Sequence, residues 1–204
     1  PGENDTEMHA ILAEYALPYR FESEVANAAD RIPEEITAED LKGRRDFRNV
    51  LTFTIDPKDA KDFDDAISLT KDGDIYTLGV HIADVGEYVK MNNPLDKEAF
   101  KRGTSVYFPN LVLPMLPRNL SNGICSLNEN VDRLALSVFM DINNSGECVN
   151  HEICESIIQS KRRFTYTTVT KILNGDELAR EENAEFVQDL LDMNELNHIL
   201  IKMR

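Results

Sequence analysis

The stretch TIDPKDAKDFDDAI, Thr54–Ile67, places five aspartates in ten residues, Asp56, Asp59, Asp62, Asp64 and Asp65, with only Lys58 and Lys61 among them. Like charges this close in sequence repel one another, so something outside the segment must balance them. On its N-terminal side RNVLTFTID alternates Leu51, Phe53 and Ile55 with Thr52 and Thr54, the period of a strand. On its C-terminal side DAISLT and IYTLGVHIADV read as two strands joined through KDGD, where Asp72-Gly73 is a hairpin signal. Asp56 thus ends one strand, and Asp62, Asp64 and Asp65 return after a short loop that can fold the carboxylates back on one another.

Metal-assisted phosphoryl chemistry needs hard oxygen ligands gathered in a small volume, because magnesium prefers carboxylates and water. The competing interpretation is a solvated acidic turn. A calcium loop of the EF-hand type fits poorly: counted from Asp56, Lys58 and Ala60 stand where acids belong and Lys61 where glycine belongs.

Around this centre the elements alternate. Asp5 or Thr6 can cap a first helix whose Met8, Ile11, Leu12 and Tyr15 share a face, with Pro18 as its stop. A second helix is expected over TAEDLKG, with Thr37 and Asp40 as a variant capping box and Gly43 closing it. Residues 1–45 therefore read as a helical lead-in to a domain over 46–204. NPLDKEAFKRG is a helix from Asn93 as cap to Gly103 as stop, and residues 105–128 are expected to be an ordered loop. RLALSVFMDI and ECVNHEICESIIQS form a second hairpin through NNSG; a short helix over TYTTVTKIL follows. From Ala184 an amphipathic helix runs to Arg204 with no stop signal, so the natural protein is expected to continue. Two hairpins predict an α+β fold with a mixed, mainly antiparallel sheet or partial barrel and flanking helices.

Composition narrows the function. The 22 Lys and Arg against 37 Asp and Glu give a net charge of −15, which argues against a general basic surface for nucleic acid. No apolar run approaches the roughly 18–20 residues of a membrane span, and the acidic start PGENDTE is no signal peptide. Cys125, Cys148 and Cys154 show neither CxxC spacing nor a complete disulfide set, which suggests a reducing cytoplasm and no zinc site.

Four segments in order, TIDPKDAKDFDDAISL, GVHIADVGEYV, GTSVYFPNLVLPMLPRNLSNGICSLN and DRLALSVFMDI, resemble the RNB catalytic domain of the ribonuclease II and ribonuclease R family. The resemblance spans about Asp5 to Asp176. It implies a processive hydrolase that degrades single-stranded RNA from the 3′ end and releases nucleoside 5′-monophosphates with magnesium or manganese. Asp56, Asp62, Asp64 and Asp65 match the family's active-site aspartates, catalytic and metal-binding, while Asp59 carries over no role. Tyr107, in SVYFP, matches the aromatic that packs on the terminal nucleotide. An essential arginine and flanking RNA-binding barrels of the family have no counterpart in these residues, so the chain alone is expected to be inactive. No obligate protein partner is implied. The alternative is an inactive RNA-binding or regulatory member of the family. His81, on an apolar strand, reads as structural; Arg118, Arg133 and the run Ser160–Arg163 are candidates either for phosphates or for solvent.

Overall fold

The structure, a computed structural model, describes residues 3–108 and 111–203, with side chains from Met8 onward. In chain order it begins with α1 (Glu3–Glu14), α2 (Ser23–Asp30), β1 (Arg45–Asp46), β2 (Phe53–Asp56), β3 (Asp65–Asp72) and β4 (Ile75–Ala83). Next come α3 (Val85–Tyr88), α4 (Pro94–Arg102), β5 (Val106–Tyr107), β6 (Val112–Leu113) and a π-helical turn at Asn119–Ile124. Then follow β7 (Asp132–Asn143), β8 (Cys148–Gln159), β9 (Arg162–Thr165), α5 (Tyr166–Leu173), α6 (Glu177–Glu182), a 3-10 turn at Ala184–Phe186 and α7 (Val187–Met203). These elements form two compact units, Glu35–Asp84 with Cys125–Arg204, and Pro1–Glu34 with Val85–Ile124.

The first of these holds a seven-stranded sheet in the order β1-β8-β7-β4-β3-β2-β9. Its middle is antiparallel, and parallel pairs join β1 to β8 and β2 to β9 at the two edges. The fold is the expected α+β, with an open sheet rather than a barrel. Both predicted hairpins form; Asp72 faces Ile75 across a turn whose Gly73 has φ +57, a conformation glycine adopts without Cβ strain. Phe53, Phe164 and Phe186 meet edge to face at 5.2–5.7 Å and, with Ile172 and Leu190, fix α5 and α7 on the sheet. A second cluster, Leu69, Tyr76, Ile142 and Leu196, continues that core along α7.

The other unit packs α2 against α4 and the π-helical turn. Asn93 caps α4 by accepting the Asp96 N–H, Pro94 opens it, and Gly103 ends it at φ +73. The expected loop over 105–128 holds more order than its composition suggests, a β5–β6 hairpin and the π-helical turn; Pro109 and Asn110 lie outside the described residues.

Three expectations are corrected. The first helix starts at Glu3, ahead of Asp5 and Thr6, whose side chains lie outside those described, and it stops at Glu14 before Pro18 is reached. Ile11 and Tyr15 of its supposed core face are exposed, and Leu12 is buried. Over TAEDLKG the reciprocal bonds exist, Thr37 N–H to Asp40 Oδ2 at 2.7 Å and Asp40 N–H to Thr37 Oγ1 at 3.5 Å, but only turns follow. Gly43, at φ +80, arrives too soon for a helix to repay its nucleation. The helix of this region is α2, overlooked because its buried face is no more than Val25 and Ala29.

Candidate active site

β2 delivers Asp56 between two neighbours. Phe53 pairs with Ile67 of β3, while parallel β9 sets Arg163 opposite Thr54 and Thr165 opposite Asp56. β3 then begins at Asp65, opposite Ile82 of β4. The connecting loop is tied at both ends. Next to Asp56, Arg163 Nη2 donates to the carbonyls of Pro57, Lys58 and Ala60 at 3.2, 2.7 and 3.1 Å, and the guanidinium lies 4.8 Å from the Phe63 ring centre. Next to Asp65, the buried Phe63 donates its N–H to Ser126 Oγ at 3.0 Å and accepts the Leu127 N–H at 2.8 Å, and Asp64 accepts the Ala83 N–H at 2.9 Å. The strand ends therefore bring Asp56, Asp62, Asp64 and Asp65 into one electrostatic group.

Their charges act on one another. Burial raises the Asp56 carboxyl above the ordinary carboxylate range and the charges of Asp65 and Asp62 push the same way, while the Thr54 hydroxyl and then the Arg163 cation oppose them. Asp64 is raised as well, first by the loss of water around its carboxyl and then by Asp62, Asp65 and Asp56. Asp56 Oδ2 is buried without a hydrogen-bond partner, and so are Thr54 Oγ1 and Arg163 Nε on the same strand junction. The Thr54 hydroxyl nevertheless interacts with the Asp56 carboxylate and favours its charged form, so two of these three atoms partly serve each other and Arg163 Nε stands apart from them.

The donors are oxygens only, the chemical kind that magnesium or manganese takes, and Asp56 Oδ2 is buried without a hydrogen bond of good geometry. Among the described residues no three His, Cys, Asp or Glu side chains converge as the ligands of one ion. The carboxylates feel one another's charge without sharing a centre. Asp59 is exposed.

The remaining candidates fall elsewhere. Tyr107 stands on β5 in the other unit and is 65% exposed. His81 is structural: it is fully buried, bonded through Nδ1 to Ser137 Oγ at 2.7 Å and through Nε2 to Ser68 Oγ at 3.1 Å. Ser137 continues to Ser156 Oγ at 2.6 Å, and Ser156 to the Ala135 carbonyl at 3.0 Å. Gly79 makes room for this chain, since a Cβ there would lie 2.3 Å from Ser68 Oγ. Arg118 and Arg133 donate to backbone carbonyls, Lys161 to Gln159, and Arg162 pairs with Glu129 at 3.9 Å. Burial pushes the Cys125 thiol up to about 12, so it is an inert core group. No described helix is long and apolar enough to cross a membrane.

Ser126 escaped the sequence reading, and Arg163 entered it only as part of a basic run and in another role. Ser126 looks like any serine in an irregular segment, and Arg163 sits in a basic run whose composition suggests phosphates, not loop carbonyls.

The RNB domain family matches residues 44–204, which takes in the aspartate loop, both of its ties and the whole sheet. The chain belongs to the RNB-domain family. Ribonuclease R 1 of Lactococcus lactis is 48% identical over 95% of this chain and 24% of its own length. Ribonuclease R of Thermotoga maritima is 46% identical over 97% of the chain and 28% of its own length. Mycoplasma genitalium RNase R, solved in complex with double-stranded RNA, superposes with a TM-score of 0.80 at 29% identity, over 92% of this chain and 35% of that one. This RNB chain thus spans about a quarter of the length of the curated relatives it matches.

Proposed function

We propose that this chain is the aspartate-bearing part of a processive, metal-dependent 3′-to-5′ exoribonuclease that hydrolyses RNA to nucleoside 5′-monophosphates. The observation that carries the reading is the group of four aspartates at the facing ends of β2 and β3, mutually repelling, with Asp56 Oδ2 buried and unpartnered. Its similarity to ribonuclease R over nearly its full length supports the same reading.

Asp56 and Asp65 are assigned as direct ligands of magnesium or manganese, and Asp62 and Asp64 complete the site or orient the attacking water. A divalent ion so held neutralises the scissile phosphate and lowers the pKa of bound water. The chain's own part is to gather the four carboxylates, two of which, Asp56 and Asp64, the fold by itself makes harder to charge. Tyr107 offers an aromatic face on which a terminal base stacks for roughly 1–3 kcal/mol without regard to sequence. A net charge of −15 works against holding a polyanionic strand, so the chain is expected to show little activity alone.

The test is degradation of 5′-labelled single-stranded RNA by the full-length protein with magnesium, beside its Asp64→Asn variant. Stepwise 3′ shortening that drops at least about a hundredfold in the variant supports the assignment. Full-length protein that binds RNA without cleaving it would replace the proposal with the inactive RNA-binding alternative.

A further inference from the structure

We propose that Arg163 is a positioning residue that sets the spacing of the aspartates by holding the loop between Asp56 and Asp62. The inference rests on the metal-dependent reading above and adds to it a residue outside the aspartate motif.

The geometry is specific. One nitrogen, Nη2, meets three carbonyls of consecutive or nearly consecutive residues, Pro57, Lys58 and Ala60, at 3.2, 2.7 and 3.1 Å. Three carbonyls aimed at one point curl the backbone around it, and the Ala60 N–H to Pro57 carbonyl bond at 3.1 Å closes that turn. The guanidinium is itself fixed: its strand pairs with β2 at Thr54 and Asp56, its backbone N–H donates to Glu129 Oε2 at 2.9 Å, and its carbon lies over the Phe63 ring, 4.8 Å from the centre. Phe63 is the residue between Asp62 and Asp64. Arg163 therefore touches the loop on both sides of its bend, just after Asp56 and in the middle of the triplet of acids.

Energetics require such a clamp. A loop of repelling carboxylates lowers its energy by splaying, and a surface turn of Lys and Asp has no apolar grip of its own beyond Phe63. A cation bonded to backbone carbonyls restrains the loop without consuming a carboxylate oxygen. An ion pair with Asp56 would use up the ligand atom that the structure leaves unpartnered. Arginine suits the task because its planar group stacks on a ring while donating at its edge; lysine offers a point charge with no stacking plane.

The experiment uses the 204-residue chain and the full-length protein, each as wild type, Arg163→Met, Arg163→Lys and, as a control, Arg162→Met. Manganese binding is read by electron paramagnetic resonance, and hydrogen exchange by mass spectrometry on the peptide covering 57–63. The expected result for Arg163→Met is at least tenfold weaker manganese binding and at least tenfold faster exchange confined to 57–63. Arg163→Lys falls between, and Arg162→Met matches wild type. In the full-length protein kcat falls with KM for RNA little changed, as a displaced metal site predicts and a damaged RNA track does not. Wild-type manganese affinity together with unchanged exchange in Arg163→Met overturns the proposal. If wild type itself binds no manganese, the metal reading falls, and the exchange data alone decide whether the clamp exists. Should Arg163→Met unfold as a whole, the lysine variant carries the same comparison, and wild-type exchange and affinity there overturn it.

Discussion

Each unit of this chain contains an arginine that does the same mechanical job with a different electrical outcome. In the helical unit Arg102 donates through Nη1 to the Pro18 and Pro114 carbonyls and through Nη2 to the Arg20 carbonyl, and lies 3.7 Å over Phe21. In the sheet unit Arg163 ties three carbonyls and stacks on Phe63. Arg102, however, closes its charge on the buried Glu98, Nε to Oε1 at 2.8 Å, whereas Arg163 Nε is buried with no partner. A staple with its own counterion is complete in itself. One that leaves its Nε unbonded and spreads its charge toward neighbouring aspartates, Asp56 among them, is not complete in itself.

The sharpest way to break this contrast is Arg102→Ala. It removes three carbonyl bonds and leaves Glu98, with 7% of its side chain exposed, only the Lys101 ammonium at 4.0 Å to balance its charge, a loss of up to roughly 3–5 kcal/mol. The measurement is hydrogen exchange over residues 15–25 and 95–115, where protection should collapse while β7 and β8 keep theirs. A loss under about 1 kcal/mol would show that Glu98 finds water and that the staple was never closed.

His81 gives a second closed network to set beside the open one, this time uncharged. Burial lowers its pKa from 6.5 to about 4, so the folded chain holds it neutral while the unfolded chain protonates it below 6.5. Its contribution is complete above pH 6.5 and is lost as pH falls from there toward 4. By pH 5 the deficit is about 2 kcal/mol. Urea unfolding of wild type at pH 7 and pH 5, compared with His81→Gln, should show that extra acid sensitivity in wild type alone.

The contrast also explains what the sequence disclosed. Alternation around Phe53, Leu69 and Ile142 and the turn glycines made the hairpins legible, because strands and tight turns are written in local patterns. The aspartate cluster stood out in the sequence because like charges so close together repel one another, and the strand ends do bring them into one electrostatic group. What stayed hidden is non-local: the parallel pairing of β2 with β9 joins residues more than a hundred positions apart, and with it comes Arg163. No spacing within SKRRFT tells a loop clamp from a phosphate contact. The grouping of α1 and α2 with residues 85–124 is equally invisible locally, since Pro18 and Arg20 meet Arg102 through carbonyls that any residue carries.

The smallest predicted effect is the most discriminating. Asp64→Asn keeps the shape of the side chain and removes one charge from a group in which Asp62, Asp65 and Asp56 all disfavour it. If the aspartate loop is electrically open, the variant should be slightly more stable than wild type without added metal, by less than about 1 kcal/mol because the residue keeps an exposed surface through which water screens part of its charge. Magnesium or manganese should then reverse the order, since binding to the folded form stabilises wild type by mass action and the variant less. Thermal unfolding of the two proteins, each with the chelator EDTA and with millimolar magnesium, checks both signs in one set of scans. A variant less stable than wild type in EDTA would mean that Asp64 already has its partner inside the fold. The loop would then be closed like the Arg102 staple, and its excess of carboxylates would need another explanation.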